Sequence, residues 1–204
     1  MLNTRFTPVV CKYLCRNMLT FSPLTPERIN DFEILFGPRG ACAGCWCTYW
    51  KLPASDYEKL RGDGARQVQR SLIEQGVVPG ILAYEDGSAI GWVAVEPRSE
   101  YPRLARSRVL KPVDDLEVWS ITCFFTAKNH RRKGVTVELL RQAINYVGAK
   151  GGKIVEGYPV VPKGTNAPAP FVFTGLPAAF IKAGFVKVAR YSPTRPIYRY
   201  YIET

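Results

Sequence analysis

Histidine is nearly missing from this sequence, with His130 the only one in 204 residues. A Ser-His-Asp or Cys-His device would have to run through it, and its neighbours Arg131, Arg132 and Lys133 suit an anion better than a carboxylate partner. No stretch approaches the eighteen or more apolar residues of a membrane span, so no membrane partner is expected. The first seventeen residues contain Arg5, Lys12 and Arg16 but no acid, and no apolar run there is long enough for a secretory signal. Pro8 and the lack of a helical apolar face speak against a transit peptide. Residues 1–17 read as a loosely attached arm, 18–204 as one domain, and the expected location is cytoplasmic. Walker and Gly-x-Gly-x-x-Gly motifs, internal repeats and low-complexity tracts are also missing, which removes the common nucleotide-binding and repeat architectures.

What is present is an ordinary globular composition, 47% apolar and 22% charged, in a chain long enough to bury a sizeable core. The formal net charge of +11 suits a polyanionic partner, either a phosphate-rich cofactor or a nucleic acid. The basic residues are scattered, without the dense tract of a nucleic-acid arm. Six cysteines without a secretory signal read as thiols. Cys42, Cys45 and Cys47 offer three thiolates to zinc, but no fourth ligand stands nearby, so no metal is expected.

Periodicity gives a short strand over 19–24, then a helix opened by Thr25-Pro26 with Ile29, Phe32, Leu35 and Phe36 on one face. A second helix carries Val68, Leu72 and Ile73 and runs to Gly76. Two apolar runs, 80–84 and 89–95, flank a polar turn at Asp86-Gly87 and predict a β-hairpin. The β-branched and aromatic run 118–125 is a strand, 135–147 an amphipathic helix, and 153–158 a strand again. Strand, helix, strand in this order predicts a parallel βαβ unit. A short helix over 178–183 and strands over 185–190 and 197–202 close the chain. The fold class is therefore α/β: a mixed, mostly antiparallel central sheet with one parallel βαβ unit and flanking helices.

The informative stretch lies between the best strand and the best helix, Arg131-Arg132-Lys133-Gly134-Val135-Thr136. The first N–H groups of a helix have no internal partner, and Gly134 lets a phosphate approach the backbone. The three basic residues before it add positive charge.

With these elements in this order the sequence resembles the GCN5-related N-acetyltransferase family. Residues 131–136 stand for its Arg/Gln-x-x-Gly-x-Gly/Ala motif, and Phe180-Ile181-Lys182-Ala183-Gly184-Phe185 is similar to its closing helix-to-strand step. The resemblance implies an acyl-CoA N-acyltransferase fold, acetyl-CoA as donor and an amine acceptor on a small molecule or protein. It implies backbone contacts from Cys123, Phe124 and Phe125 to the pantetheine arm, and a pyrophosphate held by Arg131, Arg132, Lys133, Gly134, Val135 and Thr136. Thr136 departs from the family's Gly or Ala, and Phe180 stands where many members have an acidic tyrosine. Tyr158 is a substitute for that tyrosine.

An attacking amine must lose a proton, for which Glu156 and Glu117 are candidates, on or next to the strands flanking the thioester. The alternatives are an arginine partner for Glu156 and a solvated strand end for Glu117. Trp46, Tyr49 and Trp50 overlook the acceptor groove by the same resemblance, or else seal their own loop. Two other functions stay open: a non-catalytic acyl-CoA-binding sensor or scaffold, and an acetyltransferase directed at tRNA. The oligomeric state is open, a dimer included.

Overall fold

The computed structural model describes residues 19–162, 164 and 168–203. The expected arm over 1–17 lies outside them. Strand β1 (Thr20–Pro23) leads through a 3-10 turn at Pro26–Arg28 into helix α1 (Ile29–Phe36). Thr25 does not cap the turn with its side chain, and its hydroxyl accepts Arg28 Nη1 at 3.0 Å. Ile29, Phe32 and Phe36 bury one face of α1, as helical spacing requires.

After a long loop come α2 (Ala54–Leu60), which the sequence reading did not contain, and α3 (Asp63–Glu74). The buried face of α3 is Ala65, Gln69 and Ile73, one step round from the expected Val68 and Leu72. Strands β2 (Gly80–Glu85) and β3 (Ser88–Pro97) form the expected hairpin, with Glu85 facing Ser88 across Asp86-Gly87. The connection that follows carries α4 (Pro102–Ala105). Then come β4 (Trp119–Thr126), α5 (Val135–Ala149) and β5 (Ile154–Gly157). Helix α6 (Pro177–Lys182) and strands β6 (Val186–Arg190) and β7 (Pro196–Tyr201) complete the order.

The seven strands make one sheet in the order β1-β2-β3-β4-β5-β7-β6. Among the described residues only β4 and β5 run parallel, joined by the α5 crossover that parallel neighbours need. On one face α5 and α6 bury Leu139, Leu140, Ala143 and Phe180 against Val93, Ile121 and Phe124. On the other, Phe32, Phe36, Trp46 and Trp92 pack with Cys47 and Cys123. A third cluster of Tyr101, Leu104, Leu110, Tyr158 and Ile197 lies under the β3–β4 connection.

Two irregularities open the sheet. Ala94 pairs Cys123 while Val95 pairs Ile121, so Thr122 is an extra residue on β4, a bulge that bends the strand. Pairing with β5 ends at Ile121 and Gly157, and β4 runs on to Thr126 without a strand on that side. No helix among the described residues is long and apolar enough to cross a membrane.

Candidate active site

Beyond β4 the chain reverses over residues 127–134. Arg132 and Gly134 both take left-handed backbone angles, φ 63° and 86°, and Gly134 is the N-cap of α5. A left-handed cap suits glycine, and no side chain caps the helix. The N–H groups of Val135 and Thr136 therefore have no internal partner and face outward at the positive end of a 15-residue helix. Arg131, Arg132, Lys133 and Gly134 are exposed, and a Cβ on Gly134 would meet nothing within 4 Å. Arg131 Nε donates to the Thr126 carbonyl at 3.1 Å, and His130 Nε2 meets Glu85 Oε2 at 2.8 Å, which fixes the reversal to the sheet. Open space, free donors and fixed positive charge fit a diphosphate.

The unpaired edge of β4 is not empty. Phe124 N–H donates to the Phe173 carbonyl at 2.6 Å, and Val160 N–H to the Gly175 carbonyl at 2.9 Å. The turn at 172–175 thus bridges the gap between the diverging strands, so the Phe124 amide expected to face a pantetheine arm is occupied by the chain itself. Cys123 is buried, with its thiol 3.8 Å from the Phe124 carbonyl, and Phe125 is half-buried against the Trp92 cluster.

Glu156 has a different setting from that of a proton acceptor. Glu96, Ser120, Glu156 and Arg199 are register neighbours across β3, β4, β5 and β7, and all four are buried. Glu156 Oε1 accepts Arg98 Nη1 at 3.0 Å and the Tyr158 hydroxyl at 2.7 Å, while Oε2 accepts Arg199 Nε at 2.8 Å. Arg199 also makes a bidentate pair with Asp114, at 2.6 and 2.9 Å. At 0% exposure Glu156 neutralises two arginines and is shut away from any substrate. The arginine-paired alternative is the one the structure adopts.

Glu117 is exposed before β4 begins, at the opposite end of the strand from the open edge, roughly 20 Å away at ordinary strand rise. Tyr158 sits just past β5 where the strands part, fully buried, with its hydroxyl bonded to Glu156, Ser120 and Arg98. Burial, reinforced by the charge of Glu156, holds its proton far above the usual phenol range. Phe180 is core: its ring packs edge-on against Phe124 and Phe185, at 6.0 and 5.1 Å between centroids.

The aromatic loop divides. Trp46 is 2% exposed and stacks on Phe36 at 5.9 Å, so it belongs to the core and not to a groove. Left-handed backbone at Trp46 and Cys47, φ 41° and 63°, turns this ring inward. Tyr49 and Trp50 are half-buried; Tyr49 packs edge-on against Trp50, Tyr57 and Phe173. Cys42, Cys45, Cys47 and Cys123 are free thiols. Trp92 Nε1 donates to Cys47 Sγ at 3.1 Å, and a hydrogen bond with Cys47 together with burial pushes the Cys123 thiol well up. Among the described residues no group of three or more His, Cys, Asp or Glu is placed to hold a metal ion.

Three residues outside the sequence reading matter here. Glu96 is a carboxylate at the end of an apolar strand run, 3% exposed, paired with Lys51 at 2.6 Å and accepting the Tyr101 hydroxyl at 3.3 Å. Burial, outweighing the Lys51 charge, raises its pKa above the carboxylate value of 4.5. A carboxylate inside an otherwise apolar run was the available signal. Arg195, in the β6–β7 turn, gave none.

A mixed sheet parted beside a helix N-terminus that offers bare amides defines an acyl-transferase class of architecture. The acetyltransferase (GNAT) family model matches residues 46–167, more than half of the chain, and the chain belongs to that family. No curated protein matches the sequence. Similar solved structures include a GNAT-family acetyltransferase from Streptococcus agalactiae, with TM-score 0.54 and 14% identity over 91% of this chain and 96% of that one. An N-acetyltransferase from Staphylococcus aureus gives 0.52 at 13%, covering 90% and 98%. The PaiA N-acetyltransferase of Thermoplasma acidophilum in complex with coenzyme A gives 0.52 at 12%, covering 91% and 99%. At these identities the likeness is one of fold.

Proposed function

We propose that the protein transfers the acetyl group of acetyl-CoA to a primary amine by direct attack. One juxtaposition carries the reading: β4 leaves β5 after Ile121 and Gly157, and at the end of the same strand the chain enters α5 with unpartnered N–H groups at Val135 and Thr136. The first feature makes a slot for an extended thioester, the second a seat for its diphosphate. The coenzyme A bound by the Thermoplasma relative of the same fold supports this donor.

In the reaction a bond forms between the amine nitrogen and the thioester carbonyl carbon, the C–S bond breaks with its electron pair passing to sulfur, and the amine gives up a proton. Phe124 N–H, once released by Phe173, is the donor positioned on the open edge of β4 to hold the carbonyl oxygen as it gains charge. A CoA-type thiol has a pKa of about 8.5, so the sulfur leaves without an acid at the Phe180 position. The amine proton passes through Tyr101 to Glu96. The Tyr101 hydroxyl donates to Glu96 at 3.3 Å, an orientation that delivers protons to a carboxylate whose affinity for them burial has raised.

The test is free-thiol release from acetyl-CoA over a panel of amines, beside acetyl-CoA binding measured alone. Release with at least one amine is expected. Tight binding with no release from any amine would favour the non-catalytic CoA-ester binder, the reading that Phe180 and the occupied Phe124 amide support.

A further inference from the structure

Two arginines without acids stand on adjoining segments, Arg103 at Tyr49 and Arg195 at Thr174. The Arg103 guanidinium lies 4.0 Å from the centre of the Tyr49 ring and 5.5 Å from that of Tyr57, and its Nη1 donates to the Tyr49 carbonyl at 3.0 Å. Arg195, from the β6–β7 turn, donates from Nη1 to Thr174 Oγ1 at 3.2 Å, next to Phe173, whose ring lies 6.0 Å from that of Tyr49. Both are half-buried. Neither meets a carboxylate among the described residues, and the remaining residues contain no Asp or Glu. Arg98 and Arg199, by contrast, are paired with Glu156 and Asp114. Removing a guanidinium from water without an anion is costly, and burial pulls Arg195 below its ordinary pKa.

The pair stands beside the proposed chemistry. Thr174 follows Phe173, whose carbonyl holds the Phe124 amide, and the Tyr49 and Phe173 rings are 6.0 Å apart. The same loop holds a buried donor without a partner, Trp50 Nε1. We propose that Arg195 and Arg103 bind the carboxylate of the acceptor, making the substrate an amine of amino-acid type; this rests on the acetyl-transfer reading above. Two guanidiniums on adjoining segments, one of them against an aromatic wall, suit one small planar anion. A polyanion such as nucleic acid would be met by exposed cations in array, and Arg106 and Arg108, exposed on the same connection, make no such contact with Tyr49.

The experiment compares free amino acids with their carboxamides as acceptors, reading thiol release from acetyl-CoA. At least one amino acid is expected to exceed its carboxamide in kcat/KM by about a hundredfold, the worth of a charge-assisted pair of contacts. Arg195→Gln is expected to raise KM for that amino acid about tenfold to a hundredfold, with a smaller effect on the carboxamide, and Arg195→Lys to recover part of it. Equal use of acid and amide by the wild type, or equal loss of both in Arg195→Gln, overturns the inference and leaves acetyl transfer standing. Release from no amine, with acetyl-CoA bound, overturns both. The wild-type comparison needs no variant and decides the matter even where a variant fails to fold.

Discussion

Phe124 donates its amide hydrogen to the carbonyl of Phe173 at 2.6 Å, so a backbone turn occupies the edge of β4 at which the proposed mechanism seats a thioester. Donor binding and opening of this turn are then one equilibrium. Gly175 closes the turn at φ 92°, and a Cβ there would lie 2.8 Å from Phe180 and 3.1 Å from Phe124. Gly175→Ala is therefore expected to lift the turn from β4. Amide exchange at Phe124 should rise about tenfold, the worth of one lost hydrogen bond, and acetyl-CoA should restore protection. Unchanged exchange in the variant would show that Phe173 is not what guards this amide.

Glu156→Gln should act on stability. It leaves Arg98 without an acid and the buried Arg199 with Asp114 alone, a change that costs about 3–5 kcal/mol in comparable settings. For a chain of this size that is roughly 10 °C in Tm. The pH profile of any remaining activity should keep its shape. A variant of normal Tm with an altered profile would return Glu156 to the chemistry.

Glu96→Gln should do the reverse. Glu96 must be ionised to take a proton, and burial raises its pKa from the ordinary carboxylate value, so activity should rise with pH through a midpoint shifted upward in the same direction. The variant should lose this limb and about a hundredfold in kcat/KM at neutral pH. Persistence of the limb would mean that the Tyr101–Glu96 pair carries no proton.

A smaller effect is expected at the α1–α3 contact. Arg66, hydrogen-bonded to Glu33 at 2.6 Å, holds the Glu33 carboxyl below its usual 4.5. A depressed carboxylate contributes stability that is present above the unfolded value and lost as pH falls through the folded one. Arg66 is 42% exposed, so solvent screening limits the pair to less than about 1 kcal/mol. Urea denaturation of wild type and Glu33→Gln should differ by that much near neutral pH and converge in acid; a difference that persists in acid would assign the effect to packing.

The β4–α5–β5 unit was legible because its pattern changes period from two to 3.6 and back, with Gly134 at the change. The β2–β3 hairpin announced itself through Asp86-Gly87. What stayed hidden depends on backbone that composition does not report. Thr122 bulges without a glycine to mark it, and α2, which buries only Tyr57, lacks an apolar face. The inward ring of Trp46 follows from left-handed angles at two non-glycine residues, a conformation no propensity favours. Glu156 sat on the right strand for a base, but its partners Arg98 and Arg199 come from 58 and 43 residues away.

The account turns on the bare amides at the start of α5, and equilibrium binding of acetyl-CoA to wild type and Gly134→Asp tests it most directly. The space beyond Gly134 is open and Asp tolerates left-handed angles, so the variant should fold while setting a carboxylate against the diphosphate. Affinity is predicted to fall by about a hundredfold or more. Equal affinity in a folded variant would contradict the cradle and the acetyl-transfer reading built on it.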